Sequence, residues 1–127
     1  MRQSAPTLPA VLAGLAGASA VLLGAYGAHG LSGVLDARHL EVWHTAVRFQ
    51  FWHALALALA VTLARSGART TAITAFAAGV LLFSGSLYAL ALGAPRWIGF
   101  VTPFGGVAFV VGWLALAYAL GTRMGSG

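Results

Sequence analysis

The sequence predicts an all-α, integral-membrane four-helix bundle, and three observations lead there. Four apolar runs, near residues 8–28, 43–64, 71–92 and 102–120, are each about twenty residues long, enough to cross a hydrocarbon core of about 30 Å. Sixty per cent of the 127 residues are hydrophobic, mean hydropathy is +0.89 and only 7% are charged. A soluble domain of that composition would expose an apolar surface that drives association. The 7 basic residues are all arginine and fall singly, most of them between the runs.

The same composition excludes other classes. The net charge of +5 is scattered rather than gathered into a patch, so nucleic acid is not an expected partner. With no cysteine, disulfides, thiolate metal sites and cysteine nucleophiles are all removed. The length supports a single domain.

A polar lead, residues 1–7, precedes the first run. Ala18-Ser19-Ala20 has the form of a signal-peptide cleavage site, but the chain is read from Met1 with the segment retained, so 8–28 is expected as a first span. Small residues recur every four positions, as Ala10-Gly14-Ala18 and Ala16-Ala20-Gly24-Ala28. That spacing lets another helix approach closely, although any Ala/Gly-rich span tends to show it. Gly24, Gly27 and Gly30 surround Tyr26 and His29 where the span ends; no strand precedes them, so they read as tight packing rather than a dinucleotide loop. Residues 31–42 hold both carboxylates, Asp36 and Glu41, and are expected as a short interfacial helix. In continuous helix Glu41, His44 and Arg48 share a face, with His44 placed to bridge the other two; an ordinary solvated charge cluster is the plainer reading.

The second run, 43–63, is the unusual one. Its latter half is alanine and leucine, but its first half carries His44, Arg48, Gln50 and His53 to membrane depth. Ionisable groups there are costly unless they face protein or water, which marks them as candidates for function. Residues 65–69 form a polar turn, and the third span follows with Phe83-Ser84-Gly85-Ser86-Leu87-Tyr88 inside it. After a turn at 93–97, Thr102-Pro103 reads as the N-cap and first helical residue of the fourth span. Four crossings place Arg2, Arg65, Arg69 and Arg123 on one side, and Arg38, Arg96 and both acids on the other. The positive-inside rule then makes both termini cytoplasmic. Trp43, Trp97, Phe100 and Tyr26 are expected as an outer aromatic belt.

Four segments, LGAYGAHGL (23–31), FQFWHALAL (49–57), LFSGSLYALAL (82–92) and FVTPFGGVAFVVGW (100–113), stand in order along nearly the whole chain. In them the chain resembles the YgdD-like family of small four-span bacterial inner-membrane proteins of unassigned function. The resemblance implies a multi-pass inner-membrane bundle and brings no activity with it. Phe49 and Tyr26 stand where that pattern usually has Tyr and Phe, and the missing hydroxyl at 49 weakens any proton chemistry there.

Residue counting gives depth. His53 lies about ten residues below Trp43, roughly 15 Å, near the midplane, and Arg48 is about half as deep. Tyr88 then matches Arg48, Ser84 matches His53, and Thr102, Gly105 and Gly106 fall in the same outer half as His29. The expected site is one polar cluster of His29, Arg48, Gln50, His53, Ser84, Ser86, Tyr88, Thr102, Gly105 and Gly106.

Such a cluster has several readings. It can be interhelical glue, worth about 1–2 kcal/mol per bond at best. The favoured functional reading is a pocket for a lipid headgroup or small anion, with Arg48 supplying charge and the Thr102-Pro103 helix start adding its positive dipole end. The alternative is a small transporter or channel with a histidine-based proton or ion path, weakened by the lack of any acid within a span. Haem or metal binding is disfavoured because His44 and His53 lie roughly 13 Å apart along one helix and point to nearly opposite faces. Hydrolysis by a Ser84 or Ser86 pair with His53 lacks an orienting carboxylate. The resulting expectation is a non-enzymatic bundle without cofactor, binding membrane lipid or an anion or serving as a structural or accessory unit. Self-association through small-residue faces is expected as well.

Overall fold

A computed structural model of the protein describes residues 7–63 and 67–125. Arg2 and Arg65, which contribute to the charge asymmetry, lie outside the described residues, as does the side chain of Arg123. Helix α1 spans Leu8–His29; the Thr7 hydroxyl accepts from the Ala10 amide at 3.4 Å, and Pro9 sits in the first turn. It ends where the amides of Gly30 and Leu31 both donate to the Tyr26 carbonyl.

Helix α2 spans Ala37–Leu63. The carboxylate of Asp36 accepts from the His39 amide and from its imidazole, both at 2.8 Å, and so caps the helix. The same two bonds, the amide first, hold the Asp36 carboxyl below its ordinary value. The separate interfacial helix expected over 31–42 is therefore corrected. Residues 31–35 form turns, and 37–42 are the opening turns of α2, because Asp36 starts the helix and no Gly or Pro interrupts it before Leu63.

The third rod is built in three pieces: α3 over Gly67–Gly79, a π-helical turn over Val80–Ser84, and α4 over Gly85–Ala91. It terminates at Gly93, whose φ of 98° lies in the left-handed region that glycine enters without strain. A short 3-10 helix, Arg96–Phe100, leads into α5, Thr102–Gly125. Three stretches, Leu8–His29, Gly67–Ala91 and Arg96–Thr122, are long and apolar enough to cross a membrane. At 27 residues α2 is equally long, but its first half carries the polar residues.

Helix α2 occupies the centre, with α1 against one side and the third rod on the other, while α3 packs most extensively on α5. Between α3 and α5 the packing is reciprocal. The Phe76 ring of α3 lies on Gly112 of α5, and the Phe109 ring of α5 lies on Gly79 of α3. Each glycine is the hole for the other helix's knob, and around them Ala56, Leu57, Ala60, Ile73 and Leu116 complete a dry core. Arg69 closes the far end of α2, donating to the carbonyls of Ala60 and Val61 at 3.2 Å, where the helix dipole is negative.

Among the described residues α1 packs chiefly on α2. Ala20 is buried, and Gly24 and Gly27 receive Val47 and the Trp43 indole. Of the two small-residue stripes, Ala16-Ala20-Gly24 thus belongs to the internal contact, whereas Ala10, Gly14 and Ala18 are exposed. Trp43 corrects the expected aromatic belt. It is 3% exposed and donates from its indole nitrogen to the Leu23 carbonyl at 2.9 Å, because Gly27 leaves room for it. Tyr26, Trp97 and Phe100 are exposed as a belt requires.

Candidate functional site

The polar residues form three separate groups, with Arg48 and His29 outside them, rather than one cluster. The first ties three helices. Gln50 of α2 donates from Nε2 to the Ala16 carbonyl at 2.9 Å and to Ser19 Oγ at 2.7 Å, both on α1. Tyr88 of α4 donates its hydroxyl to Gln50 Oε1 at 2.6 Å. The directions come from one backbone atom. The Ala16 carbonyl can only accept, so the amide nitrogen faces it and the amide oxygen faces Tyr88.

This network forms the floor of a groove of about 420 Å³ between α1 and the third rod. Its walls are apolar, among them Leu12, Leu23, Leu57, Ala77 and Val80, and the exposed Leu15 and Leu81 form its lips. The groove exists because α1 leans on α2 and leaves the third rod uncovered. Gly85 also lines it, and a Cβ added there would meet nothing within 4 Å.

The second group fixes the π-helical turn. Fully buried Ser84 donates to the Ala46 carbonyl of α2 at 2.8 Å. The Ser86 hydroxyl lies 2.9 Å from the Phe83 carbonyl, to which it donates, and 2.6 Å from Thr102 Oγ1. A π-turn frees backbone from its regular ladder and re-aims side chains, here toward α2 and α5. Gly105 of α5 presses on the Phe83 backbone, while Gly106 beside it has ordinary room.

His53 makes the third group. Its Nδ1–H donates to the Phe49 carbonyl at 2.6 Å, and its Nε2 accepts from the Trp113 indole N–H at 3.1 Å. A carbonyl only accepts and an indole only donates, so the tautomer is set and the ring is neutral with both nitrogens engaged. It stacks on Phe109 with centroids 3.5 Å apart. The partner expected from depth was Ser84. Trp113 takes that place because the π-turn aims Ser84 at Ala46 instead.

Arg48 and His29 stand apart from the other groups. The Arg48 guanidinium donates to Glu41 at 2.8 Å and to Thr45 Oγ1 at 3.2 Å on its own helix, with 48% of its side chain exposed. This pairing, with a smaller contribution from His44, holds the Glu41 carboxyl below its ordinary value. Arg48 reaches Glu41 directly, so His44 does not bridge them. The convergence expected of Arg48 with Gln50, Tyr88 and the start of the fourth helix does not form, since positions 48 and 50 project from different faces of α2. The helix start is not an open anion site either. Thr102 bonds to Ser86, and the amides of Phe104 and Gly105 donate to the Val101 carbonyl supplied by the preceding 3-10 turn. His29 is exposed at the end of α1. Among the described residues, no three His, Asp or Glu side chains converge as a metal ion would require.

Two participants escaped the sequence reading. Ser19 is the single hydroxyl residue between 8 and 25, and that isolation was its signal. Trp113 carries an indole N–H in an aliphatic run, a donor that must find an acceptor at depth.

Fold and side chains together define a small all-α integral membrane protein whose polar groups join its helices. The chain belongs to the DUF423 family, described as a protein of unknown function, whose model matches residues 23–106. It is 45% identical to the UPF0382 membrane protein YwdK of Bacillus subtilis over 104 residues, 79% of this chain and 85% of that one. It is 44% identical to a UPF0382 membrane protein of Haemophilus influenzae over 110 residues, 84% of this chain and 88% of the relative. No solved structure matches. The expectation of an uncharacterised family of small membrane proteins holds, and the relatives' names assign no activity.

Proposed function

We propose that the protein is a non-enzymatic, multi-pass protein of a bacterial inner membrane that holds a lipid chain in the groove between α1 and the third rod. One observation carries this reading: a groove of about 420 Å³, apolar on its walls, opens sideways where a lipid can enter without leaving the bilayer. Its run along α1 from Leu12 to Leu23 covers about 16 Å, roughly half the hydrocarbon thickness and close to the depth of one leaflet. The anion reading loses its support because Arg48 is neutralised by Glu41. A histidine relay is similarly disfavoured, since His53 offers no open nitrogen. Neither Ser84 nor Ser86 faces a histidine, and this favours a non-enzymatic role.

Gly85→Leu tests the groove directly, because Gly85 lines it and a Cβ there meets nothing within 4 Å, so the added side chain has open space to enter. Native mass spectrometry from mild detergent is expected to show retained lipid on the wild type and at least tenfold less on the variant, at unchanged melting temperature. Equal retention on both would remove the groove as the site. The same spectra read the copy number, and we expect more than one chain per particle.

The reading includes four spans with both termini in the cytoplasm, supported by the arginine asymmetry and by the inward bonding of Gln50 and His53 on α2. Gly33→Cys and Gly67→Cys place thiols where nothing lies within 4 Å of the new Cβ. An impermeant maleimide applied to intact spheroplasts is expected to label position 33 and not position 67. The reverse pattern would invert the topology.

A further inference from the structure

We infer that the groove selects an uncharged, hydroxyl-ended single-chain lipid, a long-chain alcohol, over phospholipids and over lipids that can only accept hydrogen bonds. The inference rests on the lipid-groove reading and adds the chemistry of the occupant. Its basis is a donor inventory. The floor carries four polar hydrogens: two on Gln50 Nε2, one on Tyr88 and one on Ser19. All four are engaged within the network, the Ser19 hydroxyl donating to the Ala16 carbonyl at 3.3 Å. What remains is acceptor capacity on the Tyr88 oxygen, on Ser19 Oγ and on the second lone pair of Gln50 Oε1. A ligand that hydrogen-bonds to the floor without breaking the network must therefore bring a donor.

Charge and depth narrow the choice. Among the described residues no charged side chain lines the groove, so an ammonium or phosphate would stay uncompensated in a low dielectric. Ser19 stands at the middle of the 22-residue α1, about 15 Å from either end of that helix. A phospholipid keeps its glycerol and headgroup at the interface and presents only methylenes at that depth. A single chain ending in a hydroxyl needs to carry only one small neutral donor to that depth, and the open acceptors of the floor offset the cost of taking it from water.

Three chain-matched probes separate the outcomes: 1-hexadecanol, hexadecyl methyl ether and hexadecyl phosphate, each added to delipidated wild-type protein in mild detergent. The readouts are native mass spectrometry and thermal shift. Hexadecanol is expected to bind about tenfold more tightly than the ether, the effect of one hydrogen bond. It should also outcompete the phosphate. Tyr88→Phe, checked for an intact melting transition, leaves Gln50 Oε1 without its donor and is expected to raise the preference for the alcohol over the ether, and Gly85→Leu to weaken binding of all three. Equal binding of alcohol and ether, or a preference for the phosphate, overturns the donor rule while leaving the groove as a lipid site. If Gly85→Leu binds every probe as the wild type does, the groove reading fails with it.

Discussion

Gly105→Leu is expected to prevent the fold from forming. A Cβ at 105 would run into the backbone nitrogen and Cα of Phe83, not into a side chain that can swing away. Relief requires α5 to move off the π-helical turn, and that motion separates the Ser86–Thr102 pair and reopens the interlocked packing of Phe76 and Phe109. Overpacking costs about 1–3 kcal/mol where side chains can adjust, and more where the obstacle is backbone. Gly106→Ala is the control, since its new Cβ would sit 4.0 Å from the nearest atom of Phe83. Melting followed in mild detergent is expected to show no cooperative transition for Gly105→Leu and a wild-type one for Gly106→Ala. A well-folded Gly105→Leu protein would mean that this contact does not hold α5 in place.

Gln50→Leu is expected to give the next largest loss. The substitution keeps the volume but removes the acceptor of the Tyr88 hydroxyl and the donor to Ser19, leaving polar groups stranded between α1, α2 and α4. Each orphaned group costs about 1–3 kcal/mol. Interhelical bonds in bilayers run lower, up to about 1.7 kcal/mol. A combined loss of about 2–3 kcal/mol is expected from these magnitudes. It should fall chiefly on α1, which among the described residues packs mainly on α2. Hydrogen exchange localises it: amides of α1 are expected to lose protection before those of α3 and α5. A double-mutant cycle with Tyr88→Phe is expected to return a coupling of about 1 kcal/mol. A coupling of zero would show that the two side chains act separately.

The sequence alone determined the fold class, an all-α membrane protein. Apolar length and scarce charge are local properties, and they leave few alternatives once backbone hydrogen bonds must close within each segment. The start of α1 was legible for the same reason, with Thr7 and Pro9 adjacent to an unbroken apolar run. Gln50, His53, Ser84 and Tyr88 were legible as residues that need partners, because a polar group at depth must be satisfied.

Which partner each one takes was decided only by the tertiary structure. Depth counting places residues along the membrane normal but not around each helix, so Arg48 and Gln50 read as neighbours although they leave α2 on different faces. The π-helical turn over Val80–Ser84 adds a residue to one turn and rotates the remainder of the rod, and no local signal in VLLFS announces it. That rotation gave Ser84 to Ala46 and left His53 to Trp113. Trp43 went inward because Gly27, sixteen positions earlier, left it room, a pairing visible only once α1 and α2 are packed. The groove is likewise a property of packing. It lies where α1 leans on α2 and not on the third rod, and the space between two helices is recorded in neither helix's sequence.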